Sequence, residues 1–462
     1  MGAGKTTIGR EVARLLEREF VDTDEEIERR HGPIARIFEE RGEAEFRRLE
    51  EEVLAEVLGG EPSVIALGGG ALLSEASRRR LREDALTVLV EVDVEEAWAR
   101  VLGSDRPLAK DEAAFRRLFE DRLELYESFA EARARDSDGV LLAASKIHVE
   151  RGALGRVLES FPYPVPFALV ADERVLALHR PELGDRLLST HTVPSGEAAK
   201  SIGVAERLWD ELTLDRGGVI VALGGGATTD VAGFVAATYL RGIAWLALPT
   251  TIVGQMDASI GGKTGINLRK GKNLVGAFCM PALVVIDPDT LGTLPDAQRR
   301  EGMAEVVKTG LLAGKELWKL DDEAMVRGCA AFKAAVVVSD PTEQGRRAIL
   351  NLGHTFAHAL EAGAGYGTVS HGEAVALGLT AALRLSERHL GLDPALREEV
   401  ERVLDPKLVE ADPETTWAAL KRDKKVREGR ARLVLLEEPG KPVWGYELPD
   451  DEVRAALESL IV

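Results

Sequence analysis

The chain has 462 residues, of which 30% are charged and 45% hydrophobic, and its formal net charge at pH 7 is −19. This composition excludes a disordered chain, and the length predicts two to four domains at roughly 100–200 residues each. The acidic balance argues against nucleic acid or an anionic membrane as a partner, so any anionic substrate must be bound by local basic residues. The only cysteines are Cys279 and Cys329, and the sequence has no run of about 18 apolar residues and no signal peptide. We therefore expect a cytoplasmic protein without a disulfide framework or a thiolate zinc cluster.

Residues 1–160 alternate short apolar runs with long charged stretches of helical periodicity. We predict strands at residues 64–67, 87–92 and 139–142 and helices at residues 25–30, 42–58, 74–81 and 113–135. Strands that alternate with helices indicate a parallel α/β sheet. The prolines of Phe161-Pro162-Tyr163-Pro164-Val165-Pro166 cannot continue a helix and favour an extended spacer, so we place a domain boundary there.

A second α/β region begins at Phe167, with strands predicted at residues 167–171, 218–223, 244–248 and 283–286. After Pro295 helical periodicity dominates, apart from a hairpin predicted at residues 431–437 and 443–447. The chain is thus predicted as three domains: α/β over residues 1–160, α/β over 161–294 and mostly α-helical over 295–462. The hexapeptide Ala-Leu-Gly-Gly-Gly-Ala occurs at 66–71 and 222–227 in unrelated surroundings, which indicates a shared strand-to-helix turn and not a duplicated domain.

The segment Gly2-Ala3-Gly4-Lys5-Thr6-Thr7 matches the second half of a phosphate-binding loop, G-x-x-x-x-G-K-[ST]. In such a loop, backbone N–H groups at a helix N-terminus surround the phosphates, a lysine reaches the outer ones and a hydroxyl holds Mg²⁺. So short a match is common by chance. Further motifs follow it along the chain: Asp22-Thr23-Asp24 after an apolar pair, Gly42-Glu43 with Phe46-Arg47 and Glu50, Leu67-Gly68-Gly69-Gly70, Arg106-Pro107-Leu108, and Arg122-Leu123-Glu124-Leu125-Tyr126.

In order and spacing, these motifs resemble shikimate kinase over essentially all of residues 1–160. The resemblance implies a P-loop fold and ATP- and Mg²⁺-dependent phosphorylation of shikimate to shikimate 3-phosphate. In that reaction Asp24 would orient the substrate hydroxyl while lysine, arginine and Mg²⁺ absorb charge on the transferred group. The resemblance implies ATP binding by Gly2, Gly4, Lys5, Thr6 and Arg106, Mg²⁺ binding by Thr6 and Asp22, and shikimate binding by Asp24, Arg47, Gly69, Gly70 and Arg122. The competing interpretation, solvated helix arginines and an acidic turn at residues 22–24, must explain every match separately.

One element of the kinase pattern has no counterpart in the printed sequence: the strand that precedes the phosphate loop and lies centrally in the family's sheet. Without it, two neighbouring strands lose their ladder partners, and buried backbone groups go unsatisfied at a cost of about 1–3 kcal/mol each. We therefore expect that the sheet of this half does not close. A non-catalytic docking module is then the alternative to an active kinase.

The second cluster begins with an apolar strand at residues 219–223, followed by the glycine turn and helix start Gly224-Gly225-Gly226-Ala227-Thr228-Thr229-Asp230. Glycines let the backbone approach a pyrophosphate, and a helix N-terminus supplies positive potential. Upstream, Glu197 and Lys200 provide an acid and a base suited to ribose hydroxyls. Downstream lie Arg241, Leu248-Pro249-Thr250-Thr251, the run 255–267, Lys272-Asn273, and the segments 302–308, 351–358, 371–374 and 423–425.

This series resembles 3-dehydroquinate synthase from residue 167 to the C-terminus, without the strand hairpin and helix that usually open that family. The resemblance implies an α/β NAD-binding domain and a mostly α-helical metal-binding domain, which convert 3-deoxy-arabino-heptulosonate 7-phosphate to 3-dehydroquinate and phosphate. NAD⁺ would oxidise a metal-activated ring alcohol, which acidifies the adjacent C–H for phosphate elimination; reduction of the ketone, ring opening and aldol closure would follow. A homodimer through this half is also implied.

Three of the chain's eight histidines, His354, His358 and His371, fall close together in the sequence. Spacing alone nominates His354 and His358 as metal ligands, because i and i+4 positions share one helix face. The resemblance instead implies Glu305, His354 and His371 as ligands and His358 as a polar catalytic neighbour. One carboxylate and two imidazoles suit Zn²⁺ or Co²⁺ with an open position for substrate oxygens. The alternative is that these are ordinary helix-face histidines.

The resemblance assigns further residues of this half to NAD and to the substrate. NAD binding is implied for Asp172, Glu197, Lys200, Gly225, Gly226, Asp230, Thr250, Thr251, Lys272, Thr290 and Thr293. Catalytic or substrate-binding roles are implied for Arg241, Asp257, Lys263, Asn273, Lys308, Lys333, Arg347, Asn351, His358 and Lys425, whose cations would surround a carboxylate and a phosphate. Two other activities stay open: another sugar-phosphate cyclase, and a metal-dependent polyol dehydrogenase with net NADH release.

Overall fold

The computed structural model describes residues 2–102, 111–269, 271–365, 367–422, 426–427 and 430–462. The predicted site residues Arg106 and Lys425 lie outside these ranges. The chain forms two compact units, Met1–Ser145 and Lys146–Val462. Residues 146–160, predicted to lie in the first domain, belong to the second unit, because the strand Ile147–Val149 pairs within its sheet. The division into three domains stays a prediction.

In the first unit the helices are α1 (Lys5–Leu16), α2 (Thr23–His31), α3 (Ile34–Leu58), α4 (Glu75–Asp84), α5 (Val94–Val101), α6 (Glu112–Phe129) and α7 (Ser137–Ala144). The strands are β1 (Glu19–Asp22), β2 (Ser63–Ala66), β3 (Val88–Val90) and β4 (Ala132–Ala134). β1 pairs with β2 and β3 with β4, each in parallel, and no ladder among the described residues joins the two pairs. The sheet is therefore open between β2 and β3, as expected without a central strand.

Two elements predicted for this unit are wrong. Residues 139–142 lie in α7 and not in a strand, because Asp136 caps the helix by accepting a hydrogen bond from Gly139 N at 2.7 Å. A short apolar run cannot by itself distinguish a buried helix from a strand. The helix predicted to reach Arg135 ends at Phe129, because the next residues leave it to pair with β3.

The strands of the second unit are β5 (Ile147–Val149), β6 (Phe167–Asp172), β7 (Leu187–Val193), β8 (Val219–Gly224), β9 (Ala244–Pro249), β10 (Lys263–Leu268), β11 (Gly271–Phe278) and β12 (Leu283–Ile286). Six of them form a parallel sheet in the order β5-β12-β9-β8-β6-β7, and β10 and β11 form an antiparallel hairpin. β6 and β8 are buried along their whole length, which matches their apolar sequences. The helices of this part are α8 (Val157–Ser160), α9 (Glu173–Leu178), α10 (Ile202–Glu211) and α11 (Gly226–Thr238).

The rest of the unit is mostly helical, as predicted. Its helices are α12 (Asp296–Ala313), α13 (Asp322–Ser339), α14 (His354–Gly363), α15 (His371–Leu390), α16 (Pro394–Leu404), α17 (Pro413–Arg422) and α18 (Asp450–Glu458). Strands β13 (Val426–Arg427), β14 (Arg430–Glu438) and β15 (Lys441–Glu447) form an antiparallel sheet that contains the predicted hairpin. Apolar residues of α12, α14 and α15, among them Val307, Ala357 and Leu379, share one core, which brings the ends of these helices together. Within the described ranges, no helix is both long and apolar enough to span a bilayer.

Candidate active sites

A group of three potential metal ligands forms where α12, α14 and α15 meet. Glu305 lies within α12, while His354 and His371 begin α14 and α15. Glu305 Oε1 lies 3.3 Å from His354 Nε2 and 3.5 Å from His371 Nε2. Donor atoms at about 2.0–2.1 Å from one tetrahedral ion are about 3.3 Å apart, so these separations suit a shared ion such as Zn²⁺.

The burial of Glu305 and His354 also fits a metal. Glu305 is 1% exposed; its Oε2 pairs with Lys308, while its Oε1 faces the two imidazoles, so a cation bound between them would gain from this oxygen. Burial lowers the pKa of His354 to about 4, which keeps the imidazole in its neutral, metal-binding form. Burial also opposes the charged form of His371, but the carboxylates of Glu305 and Glu361 outweigh this effect and raise its pKa to about 10. A metal that binds His371 must therefore displace a proton from the ring.

Buried cations lie beside this group. Lys308, one turn after Glu305 on α12, contacts the Glu305 carboxylate, and Lys333 of α13 contacts Asp257. Burial favours the neutral amine of Lys308, but Glu305 and Asp257 outweigh it and raise the pKa of Lys308. For Lys333, burial and the charge of Lys308 outweigh Asp257 and lower the pKa. Lys333 therefore loses its proton more readily than Lys308.

Arg347 is a buried guanidinium with main-chain partners. Only 1% of it is exposed, and it donates to Pro341 O at 2.9 Å and to Gly261 O at 3.3 Å, whereas its Nε meets no acceptor in the described part of the chain. Such a group gains from a bound anion. Lys263, which is half exposed, contacts Glu343 of the segment between α13 and α14.

Three predicted residues, Asn351, His358 and Arg241, lie outside the three-ligand group. Asn351 donates to Ala348 O at 3.1 Å in the turn before α14. The His358 ring centroid is 5.5 Å from that of His354, but His358 is not part of the three-ligand group. Arg241 is exposed at the end of the turn Tyr239–Arg241, and none of the contacts above involves it.

The predicted NAD-binding crevice lies at the carboxyl ends of β6 and β8. The chain continues from β6 to β7 on one side and from β8 to β9 on the other, and this reversal is where parallel sheets bind nucleotides. Asp172 ends β6, and Gly225 and Gly226 open α11 after β8. A Cβ added to Gly226 would lie 2.8 Å from Ala258 Cβ, and one added to Gly225 would lie 3.0 Å from Thr251 Cγ2. A side chain at Gly226 would therefore clash with Ala258, and one at Gly225 would crowd Thr251.

Polar side chains surround the crevice. The buried Lys200 ammonium donates to Asp230 Oδ2 and to Asn273 Oδ1, both at 2.5 Å. Burial raises the pKa of Asp230 to about 6. Asn273 has a φ of 55°, a strained value for a residue other than glycine, and its backbone N–H donates to Asn267 Oδ1 at 2.9 Å. Glu197 accepts from Asn267 Nδ2 at 2.6 Å.

The other predicted NAD residues line strand ends nearby. Asp172 Oδ1 accepts from Ser195 Oγ at 2.7 Å. Thr250 is buried, and its hydroxyl has no partner in the described ranges. Thr251 follows it after β9, Thr290 and Thr293 lie in the turn after β12, and Lys272 lies in β11.

Replacing Gly226 with alanine should weaken NAD⁺ binding by at least about tenfold, because the added methyl group meets Ala258 in a packed crevice, where crowding typically costs 1–3 kcal/mol. Titration of the purified protein with NAD⁺ measures this. Gly203→Ala on α10, where nothing lies within 4 Å of the added Cβ, is the matched control. Unchanged NAD⁺ affinity in Gly226→Ala would contradict the placement of the pyrophosphate.

In the first unit, Gly4 precedes α1 with a left-handed φ of 82°, and Lys5 and Thr6 form the first turn. The Thr6 hydroxyl donates to Asp22 Oδ2 at 2.8 Å, which brings together the two residues predicted to hold Mg²⁺. The same Asp22 caps α2 by accepting from Asp24 N at 3.0 Å. The first turn of α1 and the end of β1 therefore form one site.

The residues predicted to bind shikimate also converge. Arg122 donates to Gly69 O at 2.9 Å. A Cβ on Gly70 would lie 1.8 Å from Arg47 Nη1, so this arginine passes directly over the glycine turn. Asp24 Oδ1 would lie 2.5 Å from a Cβ on Gly68 in the same turn. Glu50, which was predicted only as a motif position, is buried and pairs with Arg47 at 2.8 Å.

A cavity of about 660 Å³ lies in the first unit. It is lined by β2 with the glycine turn after it, by β3, and by apolar residues of neighbouring helices such as Ile8, Val12 and Val140. This is the gap between the two strand pairs, and it begins next to Ala3 and Lys5 of the phosphate loop.

The structure also reveals site residues that sequence reasoning missed. Glu343 pairs with Lys263 across 80 residues, and no local pattern marks it. Glu361 faces both His371 and Lys272. Its position seven residues after His354, on the same face of α14, could have identified it.

The fold and the sites define a chain with two nucleotide-dependent units: a phosphate-loop unit of the kinase type, and a unit in which an NAD-type crevice adjoins a two-histidine, one-carboxylate centre. Family models match residues 1–147 as shikimate kinase, 190–301 as 3-dehydroquinate synthase N-terminal and 302–426 as 3-dehydroquinate synthase C-terminal.

Similar proteins of known sequence and structure point to the same two enzyme families. The bifunctional shikimate kinase/3-dehydroquinate synthase of Thermotoga maritima is 33% identical over 96% of this chain and 95% of its own. The 3-dehydroquinate synthase of Enterococcus faecalis is 39% identical over 67% of this chain and 94% of its own. A solved 2-deoxy-scyllo-inosose synthase, complexed with carbaglucose-6-phosphate, NAD⁺ and Co²⁺, has a TM-score of 0.61 and 25% identity over 68% of this chain and 96% of its own. The chain belongs to the bifunctional shikimate kinase/3-dehydroquinate synthase family, which confirms both predicted resemblances.

Proposed function

We propose that the second unit converts 3-deoxy-arabino-heptulosonate 7-phosphate to 3-dehydroquinate and phosphate, and that the first unit phosphorylates shikimate with ATP and Mg²⁺. Both are steps of aromatic amino acid biosynthesis. The observation that carries the synthase assignment is the group Glu305, His354 and His371 beside buried cations in a unit that also contains an NAD-type crevice.

The residues of this centre have separate roles in binding the metal, binding the substrate and transferring protons. When bound, Zn²⁺ or Co²⁺ supplies a Lewis acid that polarises the substrate alcohol. Glu305, His354 and His371 hold it, while Lys308 balances the Glu305 charge. Arg347, Lys263 and Asn351 bind the anionic groups of the substrate, and the Asp257–Lys333 pair, in which the amine has a lowered pKa, exchanges protons with it. His358 and Arg241 are proposed as additional substrate contacts.

In the first unit, charged side chains are positioned to bind ATP, Mg²⁺ and shikimate for phosphoryl transfer. Gly2, Gly4 and Lys5 bind the ATP phosphates, and Thr6 and Asp22 hold Mg²⁺. Asp24 orients the shikimate hydroxyl, and Arg47 and Arg122 bind the substrate at the Gly69–Gly70 turn.

We also propose a cytoplasmic location and a homodimer through the synthase half. Light scattering tests the dimer, which would have about twice the 50.0 kDa mass of the chain.

Substrate choice distinguishes this function from that of another sugar-phosphate cyclase. The greater identity to a 3-dehydroquinate synthase than to the inosose synthase, 39% against 25%, supports the carboxylate-bearing substrate. With NAD⁺ and Zn²⁺ present, we expect phosphate release from 3-deoxy-arabino-heptulosonate 7-phosphate at least about 100-fold faster than from a hexose 6-phosphate, because the latter leaves buried cations unpaired. Equal or inverted rates would contradict the proposal.

A further inference from the structure

Glu361 is a buried carboxylate on α14 that the proposed chemistry does not use. It is 7% exposed, and its Oε1 lies 3.6 Å from His371 Nδ1 and 3.5 Å from Lys272 Nζ. Lys272 comes from the β10–β11 hairpin, and His371 begins α15. One carboxylate oxygen therefore faces both a proposed metal ligand and a residue of the nucleotide crevice.

The two sides of the His371 ring face different carboxylates. Nε2 points to Glu305 at 3.5 Å, and Nδ1 points to Glu361. An imidazole that binds a metal through Nε2 carries its proton on Nδ1, and an acceptor opposite Nδ1 fixes this tautomer and the orientation of the ring. His354 has the corresponding arrangement, because its Nδ1 lies 3.3 Å from Leu352 O while its Nε2 faces Glu305.

His371 needs such an acceptor more than His354 does. His354 is buried and lies close to its main-chain carbonyl partner, whereas 43% of the His371 side chain is exposed at the beginning of its helix. Packing therefore restrains the His371 ring less. A carboxylate also raises the basicity of the imidazole that donates to it, which strengthens the bond from Nε2 to a metal.

We propose that Glu361 is a positioning residue that holds His371 with Nε2 directed at the metal centre. This role requires no contact with the substrate or the reacting atoms. Lys272 balances the remaining charge of the buried carboxylate. The inference rests on the proposed ligand set and extends it, because it names the residue that orients one of the three ligands.

Metal affinity tests this directly. Purified Glu361→Gln protein should bind Zn²⁺ about 10–100-fold more weakly than the wild type in competition with a chromophoric chelator, the loss typical of residues that orient a metal-binding histidine. The Co²⁺-loaded protein should show an altered visible absorption spectrum, because the ligand geometry changes. Glu361→Asp, which keeps the charge but withdraws the oxygen, should also weaken binding; it serves as the test if the glutamine variant does not fold. The exposed Glu398→Gln on α16 is the control and should match the wild type.

Two outcomes separate this inference from the metal centre itself. If Glu305→Gln loses metal but both Glu361 variants keep the wild-type Zn²⁺ affinity and Co²⁺ spectrum, Glu361 is only a partner of Lys272 and the inference is wrong. If Glu305→Gln also keeps wild-type affinity, the ligand set is wrong, and the inference falls with it.

Discussion

Replacing Glu305 with glutamine should remove bound metal and synthase activity together. We expect a loss of at least about 100-fold in both, because removing a ligand should cost no less than the 10–100-fold seen when a residue that only orients a ligand is changed. The variant keeps the shape of the side chain but lacks the charge that faces both imidazoles and Lys308. Zinc content after dialysis and phosphate release measure the two losses.

The control for this change is again Glu398→Gln, an exposed carboxylate on α16. It should keep both metal and activity. Thermal melting of the two variants shows whether Glu305→Gln remains folded. A folded Glu305→Gln protein with full zinc occupancy would contradict the ligand assignment.

Kinase turnover should rise by about 100-fold when an apolar strand of about six residues, ending in Gly-x, is joined ahead of Met1. Residues of both β2 and β3 line the cavity of about 660 Å³, so a strand placed there would pair with both of them and fix the start of α1. Misplacing catalytic groups by about 1 Å can cost about 100-fold in rate, so fixing Lys5 and Thr6 should recover a factor of that size. ATP-dependent phosphorylation of shikimate, with and without the extension, measures the effect.

An extension of equal length made of glycine and serine is the control, since it cannot fill an apolar cavity or form a stable strand. Lys5→Ala in the strand-extended chain should abolish the gain. Equal kinase rates with the two extensions, or an unextended chain as fast as the extended one, would show that the gap between the strand pairs does not limit catalysis.

The sequence predicted those parts of the fold that depend on continuous apolar runs. β6, β8, β9 and β12 are buried parallel strands, and each was predicted from a run of such residues. β7 was missed because the polar run Ser189–Thr192 interrupts its apolar residues, and β5 because His148 separates its two apolar residues. The hairpin β10–β11 was missed because glycines and polar residues interrupt the apolar residues of both strands.

The site residues also differ in how far the sequence could predict them. His354 and His358 could be grouped from spacing, but the three-residue group that the structure forms joins His354 to Glu305 and His371. Glu305 and His371 come from other helices, and only packing of α12 and α15 against α14 brings them to His354. Family resemblance supplied that long-range information, whereas local sequence gave no sign of Glu343.

Simultaneous recording of phosphate and NADH in one reaction tests the central claim most directly. Purified protein with NAD⁺, Zn²⁺ and 3-deoxy-arabino-heptulosonate 7-phosphate should release phosphate and form 3-dehydroquinate in equal amounts over many turnovers. The absorbance of NADH should stay flat, because the cofactor oxidised early in each turnover is regenerated before product leaves. NADH accumulating in step with substrate consumption, or 3-dehydroquinate failing to appear, would contradict the account.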